Sequence, residues 1–207
     1  MPSPCAYDPK ATLEDRAIRA IASSGGMVVD AGGAGRFTKG LRAYEPLFRD
    51  VDYKTLDVSA AAGPDIVGDI HDLPFADDTV DAYLCRSVLE HVSRPERAVS
   101  ELHRTLRPGG RLLVSVPSVY PYHARTGDYD YPDLWRFLED GLRELLGTFS
   151  SVEMSRSGGA ATSLVMFVPP LNRRTRVFGR FAGVIDTALE RRRPRHNSSM
   201  LYALASK

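Results

Sequence analysis

Cysteine is almost missing from this chain. Only Cys5 and Cys85 occur in 207 residues, far apart and without paired spacing, which excludes a disulfide scaffold. Long apolar runs are missing as well, for none approaches the ~18 residues that a membrane span needs. The first residues lack the basic-then-apolar pattern of a secretory leader, so a reducing cytoplasm is the expected compartment. No excess of one charge exists, because 27 basic residues face 26 acidic ones. With 43% of residues hydrophobic, a chain so balanced is not expected to be disordered. Lysine is rare, with Lys10, Lys39, Lys54 and Lys207 the lysines among the 27 basic residues; this ratio carries no functional reading. No internal repeat, low-complexity tract or long Pro/Gly/Ser linker interrupts the chain, so residues 1–207 are expected to form one domain. The five histidines and two cysteines show no metal-ligand spacing, and no metal is expected.

What is present is alternation. Leu13, Ala17, Ile18 and Ile21 recur at helical spacing before the stop at Gly25-Gly26. Met27–Asp30, Tyr53–Val58, Asp65–Gly68, Val80–Cys85 and Arg111–Val116 read as five strands, with a weak helix over 39–48. Ser93 and Glu96 suit a capping box, with Pro95 in the first turn of a helix that Pro108-Gly109-Gly110 ends. A further helix is expected over 138–146, then strands at 151–155 and 200–205. The pattern predicts a Rossmann-like, doubly wound α/β fold. Its sheet is mostly parallel and seven-stranded, with helices on both faces and a helical insert before the last strand.

Chemistry begins at Asp30-Ala31-Gly32-Gly33-Ala34-Gly35. Glycines directly after a buried strand let backbone approach a ligand, although they also serve tight turns alone. Asp57 closes the second strand 22 residues after Gly35, near the ~20-residue offset at which an acid meets ribose hydroxyls. A solvated strand end is the plainer reading of the same aspartate. The dinucleotide pattern G-x-G-x-x-G is not met, since Ala34 follows Gly32 by two and Phe37 stands where the last glycine belongs. A pyrophosphate would be poorly cradled, and a nucleoside without phosphates fits better.

These segments resemble the class I S-adenosylmethionine-dependent methyltransferases of the small stand-alone bacterial type. The resemblance rests on VVDAGGAGRF, YKTLDV, DIVGDIHDLPFADDTVDAYLCRSVLEHV, LHRTLRPGGRLLVSVP and the following YPYH…DLWRF, in order from Met27 to Phe137. It implies that Asp30, Ala31, Gly32, Gly33 and Gly35 hold the methionine end of the cofactor. Asp57 would take the ribose hydroxyls with Val58 against the adenine, and Asp69 would accept from the adenine amino group with Ile70 on the ring. Cys85 and Arg86 would lie near the methionine moiety. The family usually shows D-x-G-x-G-x-G, and this loop is one residue shorter. The resemblance divides the chain into an N-terminal helix (1–25), a cofactor half (27–116) and an acceptor half (117–207). It implies methyl transfer to a small-molecule acceptor: a natural product, sugar or lipid-linked compound. A cofactor-binding but non-catalytic partner protein, or a nicotinamide-dependent oxidoreductase, are the rival readings.

Glu90-His91 could suggest acid–base chemistry, but the resemblance implies that the pair fixes a turn near the cofactor; His103 is expected to be structural and His71 to lie at the surface. Residues 117–137 hold six of the 18 aromatics: Tyr120, Tyr122, Tyr129, Tyr131, Trp135 and Phe137. They either wall an acceptor site or roof the core, which suits Trp135 and Phe137 best. Tyr120, Tyr122, Tyr129 and Asp130 are the candidate acceptor contacts. His123 is the candidate general base, with Asp128 or Asp130 to orient it or replace it. Eight arginines between 172 and 195 face only Asp186 and Glu190. Within the insert over 160–195, Val177, Phe181, Val184, Ile185 and Ala188 fall on one helical face. That stripe reads as a lid packed on the sheet edge, or as a surface for an anionic acceptor or a peripheral membrane contact; nucleic acid is disfavoured.

Overall fold

Strands that are apolar on both faces demand cover on both sides, and the arrangement of helices supplies it. The structure is a computed structural model that describes residues 5–8, 11–126, 130–168, 175–192 and 198–207. The strands are β1 (Ala6–Tyr7), β2 (Met27–Ala31), β3 (Asp52–Asp57), β4 (Ile66–Val67), β5 (Val80–Arg86), β6 (Leu106–Pro117), β7 (Ser151–Ser157) and β8 (Met200–Ser206). They form one sheet in the order β1-β7-β8-β6-β5-β2-β3-β4. Every pairing is parallel except those of β8 with β6 and β7.

The helices are α1 (Thr12–Ser24), α2 (Pro95–Thr105), α3 (Glu139–Leu145), α4 (Ala160–Phe167) and α5 (Thr175–Arg192). Side chains alternate across each strand, and the two faces bury separate cores. Val28, Ala82, Leu84 and Leu113 pack with Ala17, Ile18 and Ile21 of α1. Val29, Tyr83, Leu112 and Val114 pack on the other face with Val99 and Leu102 of α2 and Leu142 of α3. Each fully buried leucine of this kind contributes roughly 1.5–3 kcal/mol. The fold is the Rossmann-like, doubly wound sheet.

Five expectations are corrected in detail. The sheet has an eighth strand, β1, paired parallel to β7 through Ala6↔Ser155 and Tyr7↔Arg156; two residues are too few to show a period. Ser93 does not cap α2, which begins at Pro95 with Arg94 as N-cap and no side-chain cap. Pro95 disfavours helical backbone in the residue before it, so the boundary falls after Arg94. The segment 39–48 becomes a 3-10 helix over Leu41–Phe48 with Pro46 inside it. Leu106 opens β6 directly, and the glycines 109 and 110 lie within that strand.

The fifth correction concerns the insert. Helix α5 turns a different face inward from the one its apolar stripe suggests. Ala182 and Asp186 are buried, while Phe181, Val184 and Ile185 are 67%, 70% and 51% exposed. Asp186 explains the rotation. Its carboxylate accepts from the backbone N–H groups of Gly159, Ala161 and Thr162, each at 2.9 Å, and from Thr162 Oγ1 at 2.6 Å. The orphan donors at the start of α4 are thus satisfied by a side chain from α5. Asp186→Ala is expected to cost about 2–3 kcal/mol by leaving these donors buried and unpaired. For a chain of this size that lowers the melting temperature by roughly 5–10 °C; an unchanged midpoint in calorimetry would contradict the cap. Val177 and the arginines 173, 174, 176, 192, 193 and 195 lie outside the described side chains. Among the described residues, no helix is long and apolar enough to cross a membrane.

Candidate active site at the carboxyl edge of the sheet

Strand β2 has β3 on one side and β5 on the other. The order reverses there, and the loops leaving the carboxyl ends diverge into a crevice, the place where open α/β sheets bind ligands. A cavity of about 590 Å³ occupies it, lined by the loops that follow β2, β3, β4, β5 and β6.

One half of its wall comes from the first three of these loops. Gly32 and Ala34 line it. Gly32 has φ +71°, and a Cβ there would stand 2.5 Å from Val88 Cγ2, so only glycine lets these two loops meet. Asp57 is buried at the end of β3 and accepts from Ala34 N at 3.2 Å and Ser59 N at 3.0 Å. Val58 and Ile70 add apolar surface. Asp69 Oδ1 accepts from His71 N at 2.8 Å and meets His71 Nδ1 at 2.6 Å. Burial pushes the Asp69 carboxyl up, but the two His71 contacts outweigh it and the net direction is down. His71 is not the surface residue expected: its Nε2 takes Arg94 N–H at 3.3 Å and its side chain is mostly covered.

Other expected members stand elsewhere. Asp30 is buried behind the loop and accepts the Tyr53 hydroxyl at 2.7 Å; burial raises its carboxyl pKa. Ala31 is in the core, Gly33 lies against Asp30, and Gly35 approaches the Ala62 carbonyl. Cys85 is fully buried in the core, because strand alternation turns it toward α2. Arg86 is paired with Glu14 at 2.7 Å. In their stead Lys39 lines the cavity, with Nζ donating to the carbonyls of Arg86 and Ser87 at 3.0 and 3.1 Å. A rare lysine just after a glycine loop was the signal available for it. The thiols of Cys5 and Cys85 are pushed up by burial, to about 11 and about 12. Both are expected to stay inert to a thiol-exchange reagent at pH 8 and to react only on unfolding. Rapid labelling of Cys85 in the native protein would contradict this placement.

The other half of the wall is the loop after β6, and Glu90 ties it down. The Glu90 carbonyl accepts from Leu134 N at 2.8 Å and Trp135 N at 3.2 Å, while Trp135 Nε1 donates to Val92 O. The Glu90 carbonyl thus holds the loop after β6, while His91 N–H donating to the Val88 carbonyl closes the turn itself. Arg136 grips both oxygens of Asp133 at 2.5 and 2.6 Å and donates to the carbonyls of Tyr120 and Pro121. The guanidinium holds the Asp133 carboxyl down at about 2. Asp133 Oδ2 accepts from His123 N at 2.8 Å. Tyr120, His123, Asp130 and Tyr131 line the cavity. Tyr122 is 77% exposed and takes no part, Phe137 joins the core, and Trp135 is exposed and does not roof it. Tyr129 and Asp128 lie outside the described residues. His103 stacks edge-on against Phe149.

Three groups meet at the floor of this half. Glu90 is fully buried, and among the described residues neither of its carboxylate oxygens has a hydrogen-bond partner. His91 Nε2 and His123 Nε2 stand 3.8 and 3.7 Å from Glu90 Oε1. Burial pushes the Glu90 carboxyl up to about 7. Sequence reading singled out each of these residues but not their meeting.

Residues 29–114 match the family model described as a methyltransferase domain. Over this span the chain is similar to a methyltransferase domain. The matched span holds Gly32, Asp57, Asp69 and Glu90, and stops short of the His123 loop. The chain is similar to the ubiquinone/menaquinone biosynthesis C-methyltransferase UbiE of Roseobacter denitrificans, at 45% identity over 65 residues, 31% of this chain and 26% of the relative. A putative methyltransferase of Encephalitozoon cuniculi is 33% identical over 116 residues, 50% of this chain and 55% of the relative. The chain thus spans about a quarter to just over half the length of these curated relatives. Among solved structures, a SAM-dependent methyltransferase from Archaeoglobus fulgidus has a TM-score of 0.58 at 14% identity, over 95% of this chain and 93% of that one. That likeness shows the fold.

Proposed function

We propose that the protein binds S-adenosylmethionine along the Gly32–Asp57–Asp69 wall and transfers its methyl group to a small-molecule acceptor against the Tyr120–His123–Tyr131 wall. The observation that carries this reading is that both walls belong to one cavity.

The residues fit the cofactor. Asp57, held by two backbone N–H groups, keeps an acceptor at the end of β3 where ribose hydroxyls need one. Gly32 admits close backbone approach, and Val58 and Ile70 offer apolar surface to a base. Asp57, Asp69, Glu90 and Asp130 line the cavity against Lys39 and Arg125, a balance that suits a cationic ligand better than a phosphate. When bound, S-adenosylmethionine supplies an electrophilic methyl group on a positively charged sulfur.

The chain's own work is then alignment and exclusion of water. The Arg136–Asp133 pair and the Glu90 carbonyl hold the acceptor loop in one conformation, which orders its aromatic and imidazole groups before an acceptor arrives. A cavity of about 590 Å³ has the size of a small-molecule site, which supports a small acceptor over a macromolecular one. The test is incubation with S-adenosylmethionine and an acceptor library, read by mass. A gain of one methyl on an acceptor, with S-adenosylhomocysteine released in equal amount, is expected. Cofactor binding without turnover on any acceptor class would favour the non-catalytic reading instead.

A further inference from the structure

We infer that Glu90, His91 and His123 form a binding site for a divalent ion of the first transition row, with open positions facing the acceptor half of the cavity. The nitrogens and the carboxylate oxygen that they offer all lie within 4.8 Å of one another. Ligands of a tetrahedral ion at ~2.1 Å stand about 3.4 Å apart. The Glu90–His91 and Glu90–His123 separations of 3.8 and 3.7 Å exceed that by a few tenths of an ångström, which small side-chain rotations close.

The tautomers point the same way. His91 Nδ1 contacts the Pro132 carbonyl, and a carbonyl only accepts, so this nitrogen carries the proton and Nε2 keeps its lone pair. His123 Nδ1 lies 3.2 Å from the Pro121 carbonyl and 3.2 Å from Asp133 Oδ2, with the same result. Carbonyl and carboxylate partners on the far nitrogen are the usual support of a metal-bound imidazole. Two Nε2 lone pairs therefore converge on a carboxylate whose oxygens accept no hydrogen bond among the described residues.

Such a set of acceptors repels itself unless a cation joins it. The nearby cations are committed elsewhere, Arg136 to Asp133 and Lys39 to the carbonyls of Arg86 and Ser87. A single proton shared with Glu90 satisfies one imidazole at a time, whereas one ion satisfies all three groups. Two imidazoles and one carboxylate are a donor set for zinc and its neighbours rather than for magnesium. Three protein ligands leave positions open, as at catalytic metal sites. His123 then serves as a ligand and not as the base that its place in the loop suggests. That an acceptor oxygen coordinates at the open position rests on the methyl-transfer reading; ion binding does not.

The test uses the full chain, stripped with a chelator and titrated with Zn²⁺ or Mn²⁺ without cofactor or acceptor. Calorimetry and metal analysis after dialysis should give one ion per chain. His123→Ala and Glu90→Gln should each weaken binding ~100-fold or more, and Asp133→Asn about ten-fold through the supporting contact. If Glu90→Gln does not fold, as judged by circular dichroism, the His123→Ala variant at the cavity wall decides. No ion bound by the wild-type chain overturns the site, including the case in which a primary amine occupies the three acceptors. Unchanged affinity in His123→Ala overturns it as well. Failure of methyl transfer with ion binding intact counts against the proposed function and not against this site.

Discussion

Asp57→Ala is expected to weaken S-adenosylhomocysteine binding ten-fold or more while the chain stays folded. Two effects act in the same direction. In the proposed binding mode the ribose hydroxyls lose their acceptor, and an unpaired buried polar group costs roughly 1–3 kcal/mol, where ~1.4 kcal/mol is a factor of ten. The N–H groups of Ala34 and Ser59 also lose the carboxylate that fixes them, so the glycine loop is less ordered before binding. Asp57→Asn keeps one carbonyl oxygen and should fall between the two. Titration calorimetry of the three proteins, with circular dichroism as the control for folding, checks the order. Equal affinity in all three would remove Asp57 from the site.

Gly32→Ala is expected to cost about 2–4 kcal/mol of stability and to abolish measurable cofactor binding. An alanine at φ +71° costs roughly 1–2 kcal/mol for the left-handed backbone alone. The added methyl also falls 2.5 Å from Val88 Cγ2, and overpacking of that kind adds about 1–3 kcal/mol. Relief comes only by moving the β2 or the β5 loop, and these two loops form opposite lips of the crevice. Gly35→Ala is the comparison, since its nearest neighbour lies 3.6 Å away and it should be close to neutral. Chemical denaturation of both variants measures the difference; a Gly32→Ala midpoint equal to the wild type would show that the loops are not in contact.

What could be read from the sequence was what local pattern encodes. The runs at 27–31, 80–86 and 111–116 are apolar on both faces, and burial on both faces is the property of interior parallel strands. Asp57 was legible because it closes a strand about 20 residues after the glycine loop, and Asp69 was named through the family resemblance alone. What escaped depends on contacts between distant segments. The face of α5 follows from Asp186 reaching Gly159 and Thr162, a long-range capping that outweighs the apolar stripe of Phe181, Val184 and Ile185. His71 becomes a support for Asp69 only because Arg94 packs over it. Glu90, His91 and His123 meet because Arg136 and Asp133 fold the loop after β6 back on the turn after β5. Spacing along the chain has no signature for such a meeting, and a search for metal-ligand spacing passes over it.

The account stands on the cavity holding S-adenosylmethionine, and the direct measurement is titration calorimetry of the wild-type chain with S-adenosylhomocysteine and, separately, with NADH. One S-adenosylhomocysteine bound per chain, weakened by Asp57→Ala, and no heat with NADH is the predicted result. No binding of S-adenosylhomocysteine, or binding of NADH that Asp57→Ala weakens in its place, would contradict it.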